Sequence, residues 1–420
     1  PAELLIDRSW EDRYNDPGSP VSTIGPLGRP VLRTSDDGST LYLVGDGASP
    51  EGDRPFLDAY DLETKESQRL FRSEAPYYER PLLLLDNAGT TLLTRRESVE
   101  EPPNFFVRQL GGGGEDLRQL TRFEHPTPEL IGIQKEQIRY PRADGVQLNA
   151  TLYLPPGYST SDGPLPMLMW AYPREFKSAD AAGQVTDSPY RFDRIGWRSS
   201  LLWLTQGYAV LDSPTMPIVG EGNEEPNDSF RKQLVDSARA AVEESVRRKV
   251  TTRDQIAIGG HSYGAFMTAN LLAHSDLFAT GIARSGAYNR TLTPFGFQSE
   301  ERTLWEAPEI YFDMSPFMHV EKINEPILLI HGEADNNSGT FPMQSERFYN
   351  ALRGHGATAR MVMLPHESHG YRARESILHM LWETHRWLET YVKKPAAESA
   401  PAAPTVERGA AAQQGEPSPR

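Results

Sequence analysis

From Glu136 onward the chain alternates short, continuous apolar runs with longer amphipathic stretches. The apolar runs are Leu165 to Ala171, Tyr208 to Asp212, Gln255 to Gly259, Thr280 to Ala283, Pro326 to His331 and Ala359 to Leu364. Runs of this length without polar alternation predict strands buried on both faces. Helical periodicity covers Ser229 to Lys249, Ala265 to His274, Pro342 to Gly354 and Arg374 to Lys393. Ahead of these, Gln137 to Tyr140 and Leu148 to Leu154 predict an antiparallel pair turning at Ala143-Asp144-Gly145. Together the pattern predicts an α/β fold, a mostly parallel sheet with helices on both faces. Sites in such sheets form beyond the carboxyl ends of the strands.

The first 126 residues read differently. Strand-like runs are broken by turn signals, and two stretches echo one another. Asp37-Gly38-Ser39-Thr40-Leu41-Tyr42-Leu43-Val44 resembles Asn87-Ala88-Gly89-Thr90-Thr91-Leu92-Leu93-Thr94. Each leads to an extended run, Phe56 to Leu62 or Phe105 to Leu110, and then to Ser67 to Phe71 or Leu117 to Thr121. A period of about 50 residues is that of a propeller blade. A pair of unrelated hairpins is the alternative. A closed propeller needs at least about four blades, and this segment has room for two and a part. The expectation is therefore a partial β-propeller over 1–126, with blades missing upstream or the sheet paired with something else. The α/β-hydrolase catalytic domain is then expected over 127–394, and a disordered Pro/Ala-rich tail over 395–420.

Chemistry concentrates where the pattern puts strand ends. Gly260-His261-Ser262-Tyr263-Gly264 follows the run Gln255 to Gly259 and opens a helical stretch. Strand, glycine-bounded serine turn and helix are the setting of a nucleophile elbow. An ordinary glycine-rich turn is the alternative for the bare motif. Asp335 follows the Pro326 strand, and His369 follows the Ala359 strand in Pro365-His366-Glu367-Ser368-His369-Gly370. The order Ser262, Asp335, His369 is that of an α/β-hydrolase triad. His369 would act as the base and Asp335 would fix its tautomer. His366 is a rival for the histidine, and a turn or helix cap is the alternative for Asp335. The oxyanion donors expected are the Tyr263 backbone N–H and the hydroxyl of Tyr172, after the Leu165 strand. A packing role is the alternative for Tyr172.

Composition narrows the partners. A net charge of −15 argues against nucleic acid, which needs a basic face. No apolar run approaches the roughly 18 residues that span a bilayer, so no membrane partner is expected. There are no cysteines, which excludes disulfides, thiolate zinc and cysteine nucleophiles. Neither a metal nor a cofactor is expected. The chain starts at Pro1 without a signal-like segment, which reads as processing or a boundary of the sequence. The compartment is read as exported or periplasmic, with cytoplasm or plastid stroma as alternatives.

Gly260-His261-Ser262-Tyr263-Gly264-Ala265-Phe266-Met267, His331-Gly332-x-x-Asp335 and Ser368-His369-Gly370 resemble the prolyl oligopeptidase family of serine peptidases. The resemblance covers about residues 1–394 and implies a propeller that screens substrates above a hydrolase. It also implies that a tyrosine after the third hydrolase strand, here Tyr172, completes the oxyanion hole. Ala283 to Gln298 and His366 to Glu375 look most like the glutamyl endopeptidase branch. That implies cleavage of peptides after glutamate, or aspartate. A glutamate in S1 calls for a cation, and arginine offers a bidentate one. Arg290 is the first choice, in the loop after the sixth strand, and Arg284, Arg302 and Arg174 are its rivals. Asn337 is a candidate for binding substrate backbone. Trp305 and Tyr288 are candidates for the S1 wall, with core packing the alternative for each. The loop Asn336 to Pro342 is longer than the family's common Asp-x-x-Val-Pro spacing, so the reach of Asp335 is a question for the structure.

The sequence thus predicts a serine peptidase preferring an acidic P1 residue. The alternative is an aminopeptidase, acyl-peptide or dipeptidyl hydrolase, or esterase, with the same triad. A peptide-binding scaffold without turnover is a third reading. Glu398, Glu407 and Glu416 in the tail would be cleavage points for a self-trimming glutamate-specific enzyme.

Overall fold

The computed structural model describes residues 4–111 and 116–393. The tail expected to be disordered lies outside them. One eight-stranded sheet organises the C-terminal two thirds. Its strands are β1 (Gln134–Pro141), β2 (Gln147–Leu154), β3 (Met167–Trp170), β4 (Ala209–Asp212), β5 (Ile256–His261), β6 (Thr280–Arg284), β7 (Ile327–Gly332) and β8 (Ala359–Leu364). The spatial order is β1-β2-β4-β3-β5-β6-β7-β8. The β1–β2 and β2–β4 pairs are antiparallel, and the rest are parallel.

The buried strands explain why both faces are covered. Side chains alternate across a strand, so a fully apolar run feeds two cores. Met167, Met169, Ile256, Ile258, Ile327 and Leu329 join one core. That core is closed by α1 (Phe230–Arg247), α2 (Tyr263–His274) and α3 (Met343–Gly354). Leu168, Val210, Ala257, Ile282, Leu328 and Ile330 join the other, under α4 (Arg374–Tyr391) and the 3-10 helix Ser200–Gln206.

The N-terminal repeat is structural. Two four-stranded antiparallel sheets lie in sequence, one ordered Ser19–Pro20, Thr40–Gly45, Phe56–Asp61, Ser67–Arg72. The other comprises Tyr78–Leu84, Thr91–Glu97, Asn104–Gln109 and Asp116–Gln119. The two echoed stretches supply the second strand of each sheet. The Tyr42 hydroxyl donates to the Asn87 carbonyl at 2.7 Å and joins the sheets.

One segment read as loop is extended instead. Pro173–Phe176, just past β3, pairs in parallel with Met216–Val219. That pairing fixes the backbone of Glu175 beside the serine turn. Among the described residues, no helix is long and apolar enough to cross a membrane.

Candidate active site

Ser262 sits at the tip of the turn between β5 and α2, with φ 59° and ψ −116°. Positive φ at a residue with a Cβ is strained and persists only where surrounding structure enforces it. The Ser262 N–H donates to the Arg284 carbonyl at 2.8 Å, tying the turn to the end of β6. The flanking glycines are sterically required. A Cβ on Gly260 would lie 2.4 Å from the Gly264 carbonyl carbon, and one on Gly264 would lie 2.5 Å from the Ala171 oxygen.

Asp335, at the end of β7, is 3% exposed. Its Oδ2 accepts from His369 Nδ1 at 2.8 Å, from His331 Nε2 at 3.1 Å and from the Thr340 hydroxyl at 3.2 Å. Its Oδ1 accepts from the Asn337 N–H at 3.0 Å. Burial pushes its pKa up, but the hydrogen bonds from His331, His369 and the Asn337 backbone prevail and hold it well below the usual carboxylate range. The carboxylate accepts at Nδ1, so the His369 proton is on Nδ1 and its Nε2 is left as the basic nitrogen. The longer acid loop does not prevent the contact. It supplies Thr340, whose hydroxyl also lies 3.1 Å from His369 Nδ1. The His261 ring packs 4.8 Å from that of His369, and burial, with His369 beside it, pushes His261 down to about 3. His366 is exposed and does not meet Asp335; its backbone N–H donates to Glu333 at 3.3 Å.

A cavity of about 400 Å³ opens beside Ser262, lined by Tyr263, Arg290, Phe295, Phe297, Asn337 and Thr340 among others. Arg290 is 4% exposed. Its guanidinium carbon lies 4.1 Å from the Phe266 ring centroid, 4.5 Å from that of Phe297 and 5.4 Å from that of Tyr263. Aromatic faces attract a cation but do not replace an anion. Among the described residues its buried Nε has no hydrogen-bond partner, and burial pushes its pKa down to about 10.

The rival arginines lie elsewhere. Arg302 is committed to Glu300 and Asp228 at 2.7 and 2.8 Å. Arg284 is buried over Trp170, 4.4 Å from the ring, and does not line the cavity. Arg174 is exposed and also outside the lining. Two expected wall residues lie outside the cavity lining. Tyr288 is fully buried and stacks on Phe348 at 4.4 Å, because the β6 loop turns its ring into the core. Trp305 is 69% exposed and packs on Phe295 at 5.5 Å, so Phe295 and not Trp305 lines the cavity. Tyr172 is 45% exposed, with its ring edge-on to Tyr263 at 5.8 Å, beside the N-terminus of α2.

His331, Thr340 and Glu175 are the residues that reasoning from sequence passed over. His331 was a motif residue without a role; its spacing to Asp335 at a strand end was the available signal. Thr340 carried none.

A mostly parallel sheet with helices on both faces, a strained serine at one strand end and a carboxylate–histidine pair at two others define an α/β-hydrolase, and the two N-terminal sheets are of propeller type. Residues 227–395 match the Prolyl oligopeptidase family, so the chain carries a domain of that family. It is 56% identical over 403 residues to an Arabidopsis thaliana protein named "Probable glutamyl endopeptidase, chloroplastic", covering 92% of this chain and 42% of the relative. A rice relative of the same name is also 56% identical, covering 92% of this chain and 43% of its own length. The chain thus spans less than half the length of these curated relatives. Among solved structures it is similar to Pyrococcus horikoshii acylaminoacyl peptidase, with TM-score 0.61, 20% identity, and coverage of 85% of this chain and 55% of that one. Porphyromonas gingivalis dipeptidyl peptidase 4 gives TM-score 0.64, 18% identity, and coverage of 90% and 53%. These two likenesses concern the fold.

Proposed function

We propose that the protein hydrolyses peptide bonds through Ser262, His369 and Asp335, and that it prefers glutamate, or aspartate, at P1. His369 Nε2 takes the Ser262 proton as Oγ attacks the scissile carbonyl. The oxyanion is received by the Tyr263 backbone N–H and the Tyr172 hydroxyl, at the N-terminal end of α2. His369 then protonates the leaving amine, and water hydrolyses the acyl-enzyme by the same route in reverse. The peptide is the only partner this chemistry requires. Of the compartments left open by the sequence, the names of the plant relatives favour the plastid stroma.

The observation that carries the P1 preference is the Arg290 guanidinium, buried in the cavity that Ser262 lines and paired with no carboxylate among the described residues. A buried charge without a counter-ion costs several kcal/mol. A substrate carboxylate supplies the missing partner with bidentate geometry. Asn337 lines the same cavity, which supports a role in binding substrate backbone. The names of the relatives support the same reading.

The test is a panel of internally quenched peptides varied at P1, run with Ser262→Ala and Arg290→Gln. Ser262→Ala is expected to lose at least about 10³-fold in kcat/KM. Retained turnover in that variant would exclude Ser262 as the nucleophile. Equal cleavage after Glu, Gln and Leu by the unmodified protein would exclude the glutamyl preference and leave the aminopeptidase, dipeptidyl hydrolase or esterase alternatives.

A further inference from the structure

Among the described residues Arg290 is buried without a paired carboxylate, although one stands close by. Glu175 meets the hydroxyl end of Tyr263, whose ring Arg290 approaches. The Tyr263 hydroxyl donates to Glu175 Oε1 at 2.6 Å, while the Arg290 guanidinium carbon lies 5.4 Å from the Tyr263 ring centroid. The Ser299 hydroxyl donates weakly to the other Glu175 oxygen at 3.4 Å. Burial pushes the Glu175 pKa up and the hydrogen bond from Tyr263 opposes it, so this carboxylate too is poorly solvated. Two poorly solvated opposite charges that meet the same side chain attract in a low-dielectric site. A pair between them would put a glutamate carboxylate of the chain itself where a P1 glutamate has to bind.

We infer that the Tyr263 hydroxyl is a positioning group for specificity, tethering Glu175 away from Arg290 and so keeping the S1 cation open to substrate. The inference rests on the assignment of Arg290 to S1. The strand Pro173–Phe176 fixes the Glu175 backbone through its pairing with Met216–Val219, leaving only side-chain torsions for the tether to hold. A hydroxyl donating to a carboxylate is among the stronger hydrogen bonds, so one group suffices. Once released, Glu175 would compete as an intramolecular ligand, at an effective concentration of about millimolar or above. Tyr263 therefore serves twice: its backbone N–H faces the oxyanion, and its hydroxyl guards the pocket.

The experiment is a double-mutant cycle read with matched quenched peptides carrying Glu or Gln at P1. Tyr263→Phe keeps the backbone donor and is expected to lower the Glu-to-Gln ratio of kcat/KM about tenfold, through KM on the Glu peptide. Adding Glu175→Gln removes the competing charge and is expected to restore the Glu peptide to within about threefold of Glu175→Gln alone. An unchanged Glu-to-Gln ratio in Tyr263→Phe, or no restoration in the double variant, overturns the inference. If Tyr263→Phe does not fold, Glu175→Gln alone decides: the Glu-to-Gln ratio rises about twofold or more, or the inference is wrong. Arg290→Gln, run in parallel, separates the two levels. A Glu preference that survives in Arg290→Gln refutes the S1 assignment itself. A preference that Arg290→Gln abolishes, with no rescue in the double variant, refutes only the tether.

Discussion

Two buried carboxylates of the N-terminal sheets and the buried arginine beside Ser262 stand in opposite situations. In the second sheet Glu79 is buried, and it is bound on both oxygens. Arg108 donates to it from Nε at 3.0 Å and from Nη2 at 2.8 Å, and the Thr94 hydroxyl donates at 2.7 Å. In the first sheet Asp58 is likewise paired, with Arg69. Beside Ser262, Arg290 is equally buried and has aromatic faces in place of a carboxylate. A charge satisfied internally holds the fold; one left unsatisfied at a cavity wall is, on the proposed reading, where a ligand completes the set. Asp335 is intermediate: internally bound, yet bound to the group that would do the chemistry.

Breaking the Asp335 set carries the largest expected effect. Asp335→Asn leaves the volume intact but no longer dictates which His369 nitrogen holds the proton. It is expected to lower kcat by roughly 10³- to 10⁴-fold, measured on the Glu peptide. A loss below tenfold would show that His369 is held by Thr340 and its loop without the carboxylate.

The Arg290 contrast is sharpened by Arg290→Met. An apolar chain of similar length removes the unpaired charge from its aromatic surroundings. The Glu-over-Gln preference is expected to fall about 100-fold while stability rises by about 1–2 kcal/mol, followed by thermal and urea unfolding. Glu79→Gln gives the opposite sign. It takes away the carboxylate that Arg108 grips and is expected to cost about 3 kcal/mol. If both variants destabilise equally, unpaired burial is not what distinguishes the two regions.

Much of this was legible in the chain and some was not, for physical reasons. The strands of the main sheet are apolar on both faces, so their runs stood out, and loops following them placed Ser262, Asp335 and His369 at one end. The Gly38 and Gly89 turns announced the repeat because both take positive φ, 74° and 69°, where glycine is favoured. Side-chain direction inside a loop was not legible. Tyr288 and Arg290 are two residues apart in one loop, yet one packs into the core and the other faces the cavity. Whether Glu175 pairs with a tyrosine or an arginine depends on the parallel pairing of Pro173–Phe176 with Met216–Val219. A four-residue run with a proline and two charges gives no periodic signal for such a strand.

Asp53 offers the smallest effect and the finest test, because it departs from the close pairing of Glu79 and Asp58. It is buried and faces Arg13, but the contacts are 3.3 and 3.2 Å, longer than the roughly 2.7–2.9 Å of a strong charge-assisted bond. Burial therefore outweighs the attraction of Arg13 and pushes Asp53 up to about 6. In the unfolded chain an aspartate loses its proton near ~3.9. Between that value and about 6 the folded protein holds more protons than the unfolded one, so stability falls as pH rises through this window and stays lower above it. Asp53→Asn cannot ionise and still accepts from Arg13. It is expected to be more stable than the unmodified protein at pH 7.5 by about 1–2 kcal/mol, with the difference vanishing near pH 4. Thermal melts across that range read the sign directly. A variant less stable at pH 7.5 would mean that the Arg13 pair outweighs burial.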